Sequence, residues 1–186
     1  MQNSAEAITP QQLETEAKTA YANGDYSLAA KSFSAAQQGY KSIGDEVLAA
    51  EMANNCCVAL LQEDAPAAAQ EAYEVVEGTM SVFKEAGDLR RQAMALGNRA
   101  SAMEALGNLN EAIEDYEDSS RILKEIGAND LRMDVMKSLS ALQLKTGRSL
   151  EALATMQAEV DGVEKPNLKQ RLLKRLLSLP RRFLGR

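Results

Sequence analysis

The chain has 186 residues and a formal net charge of −6, and its 45% apolar and 26% charged residues are typical of an ordinary soluble globular protein. It contains no histidine, the commonest general base and metal ligand, which argues against most hydrolase and metalloenzyme mechanisms. Aromatic residues make up only 4% and alanine recurs throughout, so we expect one all-α domain with helices in close contact.

Glycine-containing breaks recur along the chain at a nearly fixed interval. Gly44, Gly87 and Gly127 follow one another with a period of about 40, and further breaks fall between them near 23–27, 63–67, 107–111 and 147–151. Glycine suits the left-handed residue that closes a helix, while Asp, Ser, Asn or Pro suits the next start. The breaks predict eight helices, approximately at 10–22, 27–43, 46–62, 66–86, 89–106, 110–126, 130–146 and 149–161. Their short connections predict antiparallel hairpins that stack in sequence order.

Small residues recur inside the second helix of each predicted pair. They are Ala29, Ala69, Ala112 and Ala152, and four residues after each comes a larger one: Phe33, Tyr73, Tyr116 and Met156. Residues four apart lie on one helical face, so the small residue permits close approach and the larger one fills the gap between hairpins.

The two cysteines, Cys56 and Cys57, are adjacent within an apolar helical stretch. They are too few for a disulfide framework and lack zinc-ligand spacing. We expect reduced, buried residues, with a redox or metal role as the alternative. The first residues lack a basic region followed by an apolar run, and no segment has 18 uncharged apolar residues, so we expect a cytoplasmic protein.

The pattern resembles the tetratricopeptide repeat, in which a first helix with small and bulky apolar residues is followed by Gly and then by Ala-x-x-x-aromatic in a second helix. The best match is ALGNRASAMEALGNLNEAIEDYEDSSRILKEIG, and the weakest is the second unit, which lacks Gly at its inner turn and carries about three extra residues. The period of about 40, rather than 34, is similar to the subclass of kinesin light chains and Leu-Gly-Asn scaffolds. The resemblance implies an α-solenoid of four repeats, about 10–44, 45–87, 88–127 and 128–163, after a flexible N-terminus at 1–9.

The resemblance also implies that the first helix of each unit lines a concave, peptide-binding groove. Asn98 falls on that face, with Asn54 or Asn55 and Ser138 as its equivalents, and in related scaffolds an asparagine ladder pairs there with the peptide backbone. The alternative is an asparagine that satisfies a neighbouring helix or faces water. Alignment adds these groove candidates: Glu14, Lys18, Tyr21, Ser101, Glu104, Lys137 and Lys145.

The last segment, 164–186, differs in charge from the rest of the chain. Its eight basic residues against Glu164 alone give +7 and leave −13 for residues 1–163. Pro166 can open and Pro180 can end a helix with a leucine stripe at Leu168, Leu172, Leu176 and Leu179. Three roles stay open: a cap on the last hairpin, a cationic helix that binds anionic lipid or an acidic partner, and an autoinhibitory segment. Candidate basic contacts are Lys169, Arg171, Lys174, Arg175, Arg181 and Arg182.

The sequence therefore predicts a non-catalytic adaptor that binds a peptide or small domain of another protein, without cofactor or metal. The alternative is a peripheral membrane or assembly factor that acts through the basic helix. We do not expect an enzyme, because no nucleophile is paired with a base and no Gly-rich phosphate loop follows a strand. Nor do we expect nucleic-acid binding, since the body is acidic and the basic segment has only Phe183 to stack on a base.

Overall fold

A computed structural model describes residues 8–63 and 66–161 of the chain. Throughout these ranges the regular structure is helical, which confirms the all-α prediction. The helices are α1 (Pro10–Ala22), α2 (Tyr26–Ser42), α3 (Glu46–Leu60), α4 (Pro66–Val76), α5 (Thr79–Glu85), α6 (Leu89–Leu106), α7 (Leu109–Glu125), α8 (Asn129–Lys145) and α9 (Ser149–Asp161). The basic segment 164–186, with its predicted helix, and residues 1–7 of the predicted flexible N-terminus lie outside the described residues.

The helix boundaries follow the capping chemistry of the breaks. Thr9 caps α1 in a capping box with Gln12, and the Asp45 side chain accepts the Leu48 N–H at 2.9 Å at the start of α3. Asp25 and Asp88 cap α2 and α6 in the same way. Since each side-chain oxygen satisfies an N–H that lacks a partner within the helix, these residues fix where the helices begin.

The predicted helix at 66–86 is interrupted in the structure. Gly78 adopts a left-handed conformation with φ 83° and separates α4 from α5. Glycine populates this region without the steric cost that a Cβ brings. The prediction of a single helix over this range was therefore wrong.

Successive helices pack against one another along the chain. Contacts join α1 to α2, α2 to α3, α3 to α4, α5 to α6, α6 to α7, α7 to α8 and α8 to α9, and α4 and α5 both reach α3 and α6. In the first pair, Gly39 near the end of α2 lies against Pro10 at the start of α1, so these two helices run antiparallel. A Cβ on Gly39 would come 2.7 Å from Pro10 Cγ, which explains a glycine inside this helix.

Small residues line the contact between paired helices, which we call the seam. In the second unit, however, the alanine that lies in the seam is not the one that was predicted. Ala29, Ala112 and Ala152 are fully buried, whereas Ala69 and Tyr73 are only half-buried. The fully buried positions of α4 are instead Ala72 and, four residues later, Val76. With Ala72 in the seam, the spacing from seam alanine to closing glycine is identical in the pairs Ala29–Gly44, Ala72–Gly87 and Ala112–Gly127. The extra residues of the second unit therefore form an additional turn at the start of α4.

Most of the core is one cluster that extends from α1 through α4 and includes Ala102 of α6, and smaller clusters continue it towards α8. Among the described helices, none is both long and apolar enough to cross a bilayer.

Candidate functional site

Three hollows follow one another along helices α1, α3, α6 and α8, and together we call them the first-helix groove. The first, of about 230 Å³, is lined by Lys18, Tyr21, Phe33, Asn55 and Val58. The second, of about 600 Å³, lies between α3 and α6 and is lined by Val58, Leu61, Gln62, Asn98, Ser101, Glu104, Ala105 and Lys145. The third, of about 230 Å³, includes Met94, Asn98, Ser101, Leu131, Val135 and Ser138. Because Val58 is shared by the first two and Asn98 and Ser101 by the last two, the hollows form a continuous surface.

Two asparagine amides lie along this surface at equivalent places. Asn55 and Asn98 each stand nine residues after the first residue of their helix, as Ser138 does in α8. Both asparagines are half-buried, and neither side-chain amide has a hydrogen-bond partner within residues 8–63 and 66–161. An amide in this state retains a donor and an acceptor for a ligand.

Asn54, the other candidate in α3, does not line the groove. Its side chain is only 6% exposed, and its Oδ1 lies 3.1 Å from the hydroxyl of Thr79, the first residue of α5. The Thr79 hydroxyl is also 2.8 Å from the Val76 carbonyl oxygen. Asn54 therefore ties α3 to the break between α4 and α5, which is a structural role.

Each lysine predicted for the groove is accompanied by a carboxylate. Lys18 Nζ lies 2.6 Å from Glu14, Lys137 Nζ lies 2.8 Å from Asp134, and Lys145 Nζ lies 3.8 Å from Glu104. Lys137 lines none of the three hollows. The groove thus offers closely matched positive and negative charges, and its lysines do not form an unopposed cationic site.

Glu14 also holds the first hairpin together. Its carboxylate accepts hydrogen bonds from Lys18 and, at 2.6 Å, from the hydroxyl of the buried Tyr40 in α2. Burial raises the pKa of Glu14, but these two hydrogen bonds outweigh that effect and leave the pKa below its usual value. The same contact, with burial, raises the pKa of Tyr40 to about 12.

Tyr116 lines the third hollow, although the sequence predicted only a packing role for this residue. Its hydroxyl oxygen lies 2.9 Å from Ser101 Oγ, and its ring packs with Ile113 and Leu139. Burial raises the pKa of this hydroxyl, and the hydrogen bond with Ser101 opposes that shift. A signal was available, because a buried tyrosine, unlike Phe33 at the equivalent place, needs a polar partner for its hydroxyl.

The two cysteines lie behind the groove rather than on it. Cys56 and Cys57 are both buried and unpaired, and burial raises the pKa of each thiol to about 12. A thiol that resists ionisation is a poor nucleophile and metal ligand. In the described ranges no three side chains of the His, Cys, Asp and Glu types are grouped as a metal site would need.

Comparison with known proteins adds no relative to this description. No model of a protein family matches the chain, and a search of curated proteins finds no match either.

Proposed function

We propose that this chain is a non-catalytic scaffold of the tetratricopeptide type, a solenoid that holds an extended segment of another protein in its first-helix groove. The observation that carries the proposal is the pair of free amides, Asn55 and Asn98, at equivalent positions on one continuous surface. Support for the solenoid comes from the serial packing of the helices and from the constant spacing of seam alanines and closing glycines.

The amides are suited to a peptide main chain. A backbone presents one N–H and one C=O per residue, and an asparagine side chain can pair with both whatever the peptide's side chains are. Such pairing also satisfies the half-buried amides themselves, which otherwise rely on water.

The hollows on either side of the amides can receive side chains. The middle one, about 600 Å³, is the largest of the three and combines Val58, Leu61 and Ala105 with polar residues at its rim. Since Lys18 and Lys145 each face a carboxylate, we expect selection of a partner to depend on backbone pairing and shape more than on net charge.

Crosslinking from two matched alanines tests which surface binds. Ala105 lines the middle hollow, whereas Ala67 lines a cleft between α2 and α4 on another surface of the molecule, and both are exposed helical residues. A photoreactive phenylalanine analogue at 105 should capture a partner in cells, and the same group at 67 should not. Mass spectrometry of the adducts then identifies the partner and its contacting segment.

Binding of a peptide from that segment tests the amides. We expect Asn98→Ala and Asn55→Ala each to raise Kd by roughly three- to tenfold, the value of one net hydrogen bond, without changing Tm. Asn129→Ala, an exposed asparagine at the start of α8, is the control and should leave Kd unchanged. Capture from position 67 alone would show that the groove is not the binding surface. A loss of Tm in Asn98→Ala with no change in Kd would show that this amide has a structural role and does not pair with the peptide.

A further inference from the structure

Two described glycines lie inside helices without a left-handed backbone, Gly39 of α2 and Gly97 of α6. Close packing explains the first, since a Cβ on Gly39 would come 2.7 Å from Pro10 Cγ. At Gly97 a Cβ would meet Ser119 Oγ and Val135 Cγ2, both at 3.7 Å, which is an ordinary van der Waals distance. Neither backbone conformation nor crowding among the described residues therefore requires a glycine at position 97.

A glycine at this place weakens α6. Inside a helix, glycine is less favourable than alanine, because glycine loses more conformational freedom on folding and leaves the backbone exposed to water. The helix would be more stable with alanine at position 97, where there is room for the methyl group. A residue that lowers stability without serving the fold is a candidate for a role in binding.

In the second unit, the equivalent place is filled by a side chain. Asn54 and Gly97 each stand eight residues after the first residue of their helix. Asn54 is hydrogen-bonded to Thr79, and the residue equivalent to Thr79, seven positions after the seam alanine, is Ser119. The Ser119 hydroxyl instead donates to the Ala93 carbonyl oxygen at 2.7 Å. The space that Asn54 fills in the second unit is therefore left open in the third.

This open space belongs to the third hollow of the first-helix groove. Gly97 lines that hollow together with Met94 of its own helix and with Leu131 and Val135 of α8. Met94 is 42% exposed, and a methionine adapts to apolar groups of different shapes. Asn98, whose amide is free, lines the same hollow. A peptide whose main chain pairs with Asn98 would therefore place a neighbouring side chain next to Gly97.

We propose that Gly97 is a specificity-determining residue, which leaves room in the third hollow for one aliphatic side chain, Leu, Ile or Met, of the bound segment. This inference rests on the proposed function, because it requires a segment in the groove. An aliphatic side chain fits since the lining is mostly apolar, whereas the middle hollow carries Glu104 and Lys145. Asp134 also lines the third hollow, but its carboxylate is paired with Lys137.

The first test needs no ligand. In the full chain, Gly97→Ala should raise Tm by roughly 1–4 °C, because alanine favours the helix and its methyl group fits. Gly39→Ala is the matched control and should lower Tm, since its methyl group collides with Pro10. A lower Tm in Gly97→Ala would show that the fold requires this glycine and would overturn the inference.

The second test uses peptides selected on the natural chain from a phage library of random twelve-residue sequences. We expect the selected peptides to share one Leu, Ile or Met, and its replacement by Ala should raise Kd about tenfold. Gly97→Ala should also raise Kd for the unchanged peptide about tenfold, since one methyl group too many in an apolar pocket has an effect of this size. Gly39→Ala should leave Kd unchanged.

Combining the two changes isolates the contact. For the peptide with Ala in place of its aliphatic residue, Gly97→Ala should raise Kd by less than about threefold, because the shorter side chain leaves room for the added methyl group. Additive losses, or an unchanged Kd in Gly97→Ala, would overturn the inference, and the proposed function would stand if Asn98→Ala still weakens binding of the same peptides. A selection that yields no peptide, or peptides whose Kd neither Asn55→Ala nor Asn98→Ala changes, would contradict the proposed function and the inference with it.

Discussion

Arg99 and Asp115 join α6 to α7 through the best-formed ion pair described in the chain. Arg99 Nε lies 2.6 Å from Asp115 Oδ2 and Nη2 lies 2.8 Å from Oδ1, and Asp115 is only 8% exposed. In Arg99→Leu this carboxylate would lose both hydrogen bonds while staying largely buried. We expect the free energy of unfolding, measured with urea, to fall by about 2–3 kcal/mol.

The exposed pair of Lys137 and Asp134 serves as the comparison. Both of its side chains are more than half exposed. Removing such a pair by Lys137→Ala should cost less than about 0.5 kcal/mol. Equal losses in the two variants would show that burial of Asp115 is not what makes the first pair important.

Single residues were the hardest feature to predict, because adjacent helical residues point in very different directions around the helix axis. Asn54 and Asn55 were equivalent candidates in the sequence, yet one is bound to Thr79 in the core and the other lines the groove. The contact of Asn54 depends on the break at Gly78, which was not foreseen. Asn98 and Ser101 could be placed on the groove from sequence alone, because the repeat that contains α6 has no such break.

At the scale of helices, the sequence was most informative where glycine and capping residues coincide. The predicted helices 10–22, 89–106 and 149–161 have the observed bounds, and the others in the regular units differ by one residue. The prediction for the second unit was wrong because its second helix offers four small residues, Ala67, Ala68, Ala69 and Ala72. The pattern of small residues alone does not show which of them lies in the seam. In the structure Ala72, Val76 and Phe83 are all buried and Ala69 is only half-buried, so packing selects Ala72.

Leucine substitutions test this register. Ala72 is fully buried in the main core cluster and Ala69 is half-buried. Ala72→Leu forces three extra heavy atoms into a packed seam, so we expect a loss of about 1–3 kcal/mol in the free energy of unfolding. Ala69→Leu should change it by less, because a half-buried side chain can turn towards solvent. The opposite order, in chemical denaturation of the two variants, would restore the register predicted from sequence.

At the scale of the molecule, the described helices are held together by contacts between near neighbours in sequence. The core of these helices contains many small residues, and it also encloses several hydrogen-bonding groups. Tyr40, Cys56 and Cys57 are such groups, and all belong to the main cluster. Because each would become an anion on losing its proton, burial makes the folded state sensitive to high pH.

The direction of that sensitivity follows from proton linkage. The pKa of Tyr40 is raised from 10.0 to about 12, chiefly by its hydrogen bond to Glu14, and burial raises the pKa of Cys56 and Cys57 from 9.0 to about 12. Between pH 9 and 12 the folded chain therefore holds protons that the unfolded chain has lost, so stability present below pH 9 declines as the pH rises.

A variant with Cys56→Ala and Cys57→Ala isolates the contribution of the thiols. Urea midpoints should be measured for both proteins at pH 7, 9 and 10.5, where lysine titration affects the two alike. We expect the natural chain to lose about 1–2 kcal/mol more per thiol than the variant between pH 7 and 10.5. Parallel curves would mean that the thiols ionise as readily in the folded chain as in the unfolded one, and thus that the seam around Cys56 and Cys57 admits water.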